Sequence, residues 1–197
     1  QEARDAVLGD QTDELGSTAA PKLRSVILAV AQAGKAPDEA SALTIDYPLN
    51  ETVFPPEIVA PTFLWHEPGD RADTWLIEVA LEADSGQLLI LSPGDPPGAG
   101  EIDPACIGKN NEIYEPTSYQ ASARSWTPDG DLWAEIKRRS AGLVATVTIV
   151  GFKGTEPTRI LSRGRITITT SKEPVGAPVF YRDVPLAPAL TQEGVIK

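Results

Sequence analysis

The chain has 197 residues, of which 41% are hydrophobic, so it can bury a substantial core in one domain with appendages. Its 28 acidic and 17 basic residues give a net charge of −11, which argues against nucleic-acid binding, because affinity for phosphate backbones comes mainly from clustered lysine and arginine. A single cysteine excludes an internal disulfide and every metal or haem motif that needs several cysteines.

Two interpretations of the acidity stay open, namely simple solubility and an acidic surface that meets a basic partner. The sequence contains no methionine and begins with Gln1, so we expect an exported, periplasmic protein whose signal peptide has been removed. The longest apolar run, residues 26–31, is far shorter than the about 18 residues that cross a bilayer. The chain is therefore expected to be peripheral to a membrane rather than to span it.

Residues 1–42 are predicted to form an extended N-terminal arm, because they are poor in aromatic residues and show no strand alternation. Within this arm, residues 23–33 have the pattern of a short helix. Leu23, Ile27 and Val30 would share one apolar face of that helix. The face either packs on the parent domain or docks on another subunit, and the second interpretation makes these three residues partner-binding candidates.

The folded domain is predicted to cover residues 43–186, with a tail over residues 187–197. Apolar alternation between turn residues predicts short strands at residues 43–47, 61–65, 73–82, 87–91, 145–152, 165–170 and 178–184. The proline-rich residues 48–57 are typical of a sheet edge or bend. This pattern predicts a mostly β protein, an antiparallel β-sandwich of the immunoglobulin or fibronectin III type.

One short helix is predicted within the domain, over residues 127–142. Thr127 is its candidate N-cap, and the basic residues 137–139 lie near its negative end, where dipole complementation explains them better than an anion site. Residues 92–118 form a long insertion rich in proline and glycine, predicted to be a solvated or partner-contacting loop. Its acidic residues do not have the spacing of a calcium loop.

No catalytic signature accompanies these elements. His66 is the only histidine and is predicted to be a surface or loop residue, while Cys106 is predicted to be a buried or idle thiol. The glycines match no phosphate loop, dinucleotide fingerprint or nucleophile elbow. We therefore expect no enzyme activity, no metal and no cofactor.

The tryptophans supply an alternative function of another class, a carbohydrate-binding module that uses exposed aromatic rings. The four candidates are Trp65, Trp75, Trp126 and Trp133. Trp75 and Trp133 fall on apolar faces and are predicted to be core, so Trp126 is the main candidate for a sugar platform.

Three motifs carry a resemblance to a known family. They are PL at residues 48–49 with VFPPE at 53–57 and PTFLW at 61–65, then Trp133 with IKRRS at 136–140, and TSKEPVGAPVFYRDVPL at 170–186. Together they make residues 43–186 resemble the small immunoglobulin-like or fibronectin-like domain that, in exported bacterial proteins, precedes a WD40-like β-propeller with a c-type haem motif. The 197 residues contain no Cys-x-x-Cys-His haem motif, and we expect a domain of this type without its propeller.

The resemblance implies a domain that keeps a surface for such a partner without carrying the redox centre. It makes Val175, Phe180, Tyr181 and Arg182 partner-binding candidates. The expected function is that of a non-catalytic periplasmic accessory subunit. Its expected partners are other protein subunits, above all a c-type cytochrome or a cytochrome-containing respiratory or photosynthetic membrane complex.

Overall fold

Strands dominate the computed structural model, which describes residues 6–9, 20–33, 40–69, 71–82, 87–97 and 116–176. The strands are β1 (Ala6–Gly9), β2 (Ser41–Ala42), β3 (Thr44–Tyr47), β4 (Thr52–Phe54), β5 (Phe63–His66), β6 (Thr74–Leu81), β7 (Gln87–Ser92), β8 (Arg124–Trp126), β9 (Val144–Lys153) and β10 (Glu156–Thr170). The helices are α1 (Ala20–Ala33), α2 (Ser118–Ala121) and α3 (Gly130–Arg139). The protein is mostly β, as the sequence predicts.

The strands form two sheets in a sandwich-like arrangement. The larger sheet has the order β1, β7, β6, β9, β10, and both β2 and β4 lie parallel to β10 on its outer side. The smaller sheet has the order β3, β5, β8 and is antiparallel. The predicted β6 to β7 hairpin is confirmed by an antiparallel register that places Trp75 opposite Ser92.

Between the sheets lies the main core, built from alternate residues of the central strands. The alternation predicted for β6 is confirmed, because Trp75, Ile77, Val79 and Leu81 are all buried in this core. On β10, Ile166, Ile168 and Thr170 are buried as well. Aromatic pairs fill the centre, with Trp65 edge-on to Trp75 and Phe54 edge-on to Trp133.

Helix α3 closes one end of this core by burying Trp133 and Ile136. Its N-cap is Asp129 and not the predicted Thr127, because the Asp129 carboxylate accepts from the backbone N–H of Leu132 at 2.8 Å. Both residue types cap well, so the choice depends on where the helical dihedral angles begin. The basic last turn is present as predicted.

The other face of the larger sheet is covered in part by α1, which contains the helix predicted over residues 23–33. Ile27 and Val30 are buried there against Leu76, Leu89 and Phe152. Strand β1 pairs with the edge strand β7. The described parts of the predicted N-terminal arm therefore pack on the domain rather than extend from it, since the apolar helix face finds a matching apolar sheet face.

Two short elements, α2 and β8, lie between the predicted insertion at residues 92–118 and the helix predicted over residues 127–142, where the sequence predicted no element. Helix α2 has a capping box, in which the side chains of Thr117 and Gln120 each bond the other residue's backbone N–H. The predicted strand at residues 178–184 and the tail at residues 187–197 lie outside the described residues.

Candidate functional site

The predicted partner-binding residues fall into three groups in the structure. Ile27 and Val30 are buried between α1 and the larger sheet, so in this conformation they are not a free docking face. Val175 is exposed. Leu23 lies in α1, but its side chain is outside the described part, as are Phe180, Tyr181 and Arg182.

Exposed apolar side chains are concentrated in the segment that runs from the end of β3 through β4 to residue 59, and just after β10, the strand with which β4 pairs. Six of the ten large exposed hydrophobic side chains among the described residues belong to residues 47–59 or follow β10: Tyr47, Leu49, Val53, Ile58, Val59 and Val175. We call these six side chains the edge surface. Single exposed apolar residues are ordinary, whereas such a concentration next to a sheet edge is typical of a docking site.

Residues 47–59 are held to the sheet by polar contacts. The Asn50 side-chain oxygen accepts from the backbone N–H of Thr167 at 2.9 Å, and the N–H of Glu51 donates to the Thr167 carbonyl at 2.8 Å. The Glu57 carboxylate accepts from the backbone N–H of Val175 at 3.3 Å. This last bond brings Val175 next to the segment that carries the other members of the edge surface.

Helix α3 also holds residues 47–59, through hydrogen bonds to two of their backbone carbonyls. The Lys137 ammonium donates to the carbonyl oxygens of Pro56 and Ile58, at 2.7 and 3.0 Å, and the Trp133 indole also donates to Ile58 at 3.1 Å. Charge-assisted hydrogen bonds to backbone groups fix a loop well. Contacts within the protein therefore fix part of the backbone that carries the edge surface.

A second feature is a polar cluster on the smaller sheet, formed by Asp46 of β3, His66 of β5 and Tyr119 of α2. The Nδ1 of His66 lies 2.5 Å from Asp46 Oδ2, and its Nε2 lies 2.6 Å from the backbone oxygen of Tyr119. The Tyr119 hydroxyl donates to Asp46 Oδ1 at 2.8 Å, and its ring stacks on the imidazole with centroids 3.7 Å apart. These contacts tie α2 to the sheet.

Both nitrogens of His66 are committed to protein oxygens. A carboxylate and a carbonyl only accept, so each contact is a hydrogen bond when the ring nitrogen that makes it carries the N–H. The ring thus offers no free nitrogen to a metal or to a nucleophile. His66 lies at the end of a strand, as predicted, but it is partly buried, because the Tyr119 ring stacks on its imidazole and leaves the side chain 13% exposed.

The cluster also changes the acidity of the phenol. The hydrogen bond to the Asp46 carboxylate raises the pKa of Tyr119 above its ordinary value of 10.0, and partial desolvation and the nearby negative charge act in the same direction. Tyr119 therefore remains a hydrogen-bond donor over the whole neutral range.

The tryptophans do not form a sugar platform. Trp65, Trp75, Trp126 and Trp133 are all at most 4% exposed. Trp126, the main candidate, packs on Phe63 with ring centroids 5.2 Å apart. A sugar ring stacks on an exposed aromatic face, and none of these four rings presents one.

Within the described residues, no group of three or more histidine, cysteine, aspartate or glutamate side chains could hold a metal ion. No helix in the described part of the chain is long and apolar enough to cross a membrane. Cys106 lies outside the described residues.

Comparison with protein-family models, with curated proteins and with solved structures finds no match to this chain. The resemblance to the propeller-associated domain therefore stays a prediction that depends on the quoted motifs alone.

Proposed function

We propose that this protein is a non-catalytic accessory subunit that binds another protein through the edge surface. The observation that carries the proposal is the concentration of exposed apolar side chains on a segment that polar contacts hold in place. The commitment of both His66 nitrogens to internal partners supports a binding role over a catalytic one.

The charge of residues 47–59 indicates which side chains the partner presents at its contact surface. Residues 47–59 contain two acidic residues, Glu51 and Glu57, and no basic residue, and the whole chain carries a net charge of −11. An apolar centre with an acidic rim is complementary to an apolar patch with a basic rim. We therefore expect the partner to present lysine or arginine around its contact surface.

The resemblance to the propeller-associated domain indicates the class of assembly to which the partner belongs. Val175 belongs both to the edge surface and to the motif at residues 170–186 that resembles the propeller-associated domain. On that basis we propose a periplasmic location and a cytochrome-containing respiratory or photosynthetic membrane complex as the assembly. The carbohydrate-binding alternative has no exposed tryptophan to support it, and we do not propose it.

The proposal is tested by replacing the native protein in its source cells with the double variant Leu49→Asp and Val53→Asp. Membranes are solubilised in mild detergent, the protein is captured through an affinity tag, and the haem recovered is measured. We expect recovery to fall at least about tenfold, because charged side chains at the centre of an apolar contact oppose burial.

The matched control is Leu28→Asp, at an exposed apolar residue of α1 away from the edge surface. It should recover as much haem as the unaltered protein, and thermal unfolding of each variant shows that the domain is folded. Equal recovery from the double variant and the unaltered protein would refute the proposed docking surface.

A further inference from the structure

A cavity of about 230 Å³ lies at the hairpin between β9 and β10. It is lined by Arg71, Lys153, Glu156, Arg159 and Leu161. Three cationic side chains thus meet around one cavity in a protein whose net charge is −11. Like charges held close together raise the energy of the folded state unless an anion offsets them.

The backbone of the hairpin is irregular where it forms the cavity wall. Ile160 pairs with Phe152 and Ser162 with Gly151, so Leu161 is an extra residue in β10 without a partner in β9. Such a bulge bends a strand and redirects its side chains, and bulges are over-represented next to functional sites. The cavity is therefore a consequence of the strand geometry.

Arg71 is positioned before any ligand binds. Its Nη2 donates to the Ser41 hydroxyl at 2.9 Å, and its backbone N–H donates to Glu67 at 3.0 Å. Its side chain lies over Gly69, where an added Cβ would come within 3.6 Å of the Arg71 Nε. A guanidinium held in this way loses little entropy on binding an oxyanion.

The residues that line the cavity do not balance one another's charge. Glu156 lies 3.6 Å from Arg159, whereas Arg71 and Lys153 have no carboxylate within ion-pair distance among the described residues. Asp73 does not line the cavity, and its Oδ1 accepts from the N–H of Gly154 and the hydroxyl of Thr74, but its negative charge offsets part of the charge of Lys153. Three cations and one carboxylate leave a net charge of plus two in the wall.

We infer that this cavity binds the phosphate group of a ligand, whose charge of about −1.5 to −2 matches that of the wall. Arginine and lysine donors around a small cavity are the usual means of binding this group. The group could be carried by a soluble small molecule or by a lipid headgroup, since both present the same oxygens.

The test is calorimetric titration of the full chain with inorganic phosphate, at an ionic strength held constant with chloride. The double variant Arg71→Gln and Lys153→Gln should weaken phosphate binding at least about tenfold, because hydrogen bonds to charged groups are lost. The control, Arg138→Gln with Lys172→Gln, removes the same charge outside the cavity wall and should bind phosphate like the unaltered protein.

Absence of phosphate binding by the unaltered protein, or an equal loss in both double variants, would overturn the inference. A sedimentation assay with phosphatidylcholine vesicles, with and without phosphatidic acid, separates the two sources. Sedimentation that needs phosphatidic acid and is lost in the cavity variant supports a lipid headgroup. Phosphate binding without sedimentation supports a soluble ligand.

Discussion

Gly94 occupies a position where the backbone touches two core tryptophans. Its φ is +62°, and an added Cβ would lie 2.6 Å from Trp75 Cε3 and 3.0 Å from Trp65 Cζ2. Gly94→Ala should therefore lower the free energy of unfolding by about 2 to 4 kcal/mol, through backbone strain and overpacking. Urea denaturation measures the change. Gly130→Ala is the control, because no atom lies within 4 Å of its added Cβ, and equal losses in both variants would contradict the packing described.

Tyr119 gives a spectroscopic test of the polar cluster. Because the Asp46 carboxylate raises its pKa, one of the four tyrosines should ionise later than an ordinary phenol when ultraviolet absorbance is followed with pH. In Asp46→Ala that late component should move back towards 10.0, and in Tyr119→Phe it should vanish. Tyr47→Phe should leave it in place. A late component that survives in Asp46→Ala would show that the hydrogen bond is not its cause.

The contacts within the polar cluster could not be predicted from the sequence around His66. Asp46 and Tyr119 are 20 and 53 residues from His66 along the chain. They meet it only because β3 pairs with β5 and α2 lies against that sheet. The sequence predicted strands at β3 and β5 but no helix at α2, so neither partner of the imidazole could be identified from local pattern.

At the scale of elements, α1 makes a direct prediction about the N-terminal region. Ile27 is 1% exposed against the sheet, while its neighbour Leu28 is 41% exposed. Ile27→Ala should cost about 2 to 4 kcal/mol of unfolding free energy through lost burial and a cavity, and Leu28→Ala less than about 1 kcal/mol. Chemical denaturation compares the two variants. Similar small effects for both would mean that α1 does not pack on the sheet in solution.

Asp73 connects the start of β6 to the turn between β9 and β10. The N–H of Gly154 donates to its carboxylate at 2.8 Å and lowers the pKa of Asp73 below its ordinary value of 3.8. A lowered pKa in the folded state means that the ionised form stabilises the fold. This contribution is complete above pH 3.8 and is lost as the pH falls through the folded-state pKa.

Asp73→Asn should therefore be less stable than the unaltered protein at neutral pH, and the difference in unfolding free energy should shrink as the pH falls below about 4. Guanidinium denaturation at a series of pH values measures it. A difference that stays constant with pH would mean that the charge of Asp73 does not contribute to stability.

Most elements of the domain were predictable because burial imposes a period of two on strands. Strands β6 and β10 show this alternation, whereas residues 147–152 of β9 are buried on both faces, and all three strands lie at the centre of the larger sheet. For α1 the sequence predicted an apolar face but not the surface against which it packs. Such a face fits a sheet of its own domain and a surface of another subunit equally well. The target depends on which sheet face the fold leaves uncovered, and local sequence does not contain that information.

At the scale of the whole molecule, the candidate docking site was predictable only in part. Val175 was a candidate from the resemblance, whereas Leu49 and Val53 were not, because the proline-rich residues 48–57 indicated only a sheet edge or bend. Their exposure follows from the position of β4 outside β10 and from the Lys137 contacts that hold the segment. Exposure of this kind is a property of the assembled sheets.

The central claim, that this acidic domain is an accessory subunit of a larger haem-containing assembly, is tested most directly by native gel electrophoresis of solubilised source membranes. The gel is probed with an antibody to this chain and stained for haem. We predict that the antibody signal coincides with a large haem-positive band. Migration of the protein alone, near its own mass of 21.0 kDa, would contradict the account.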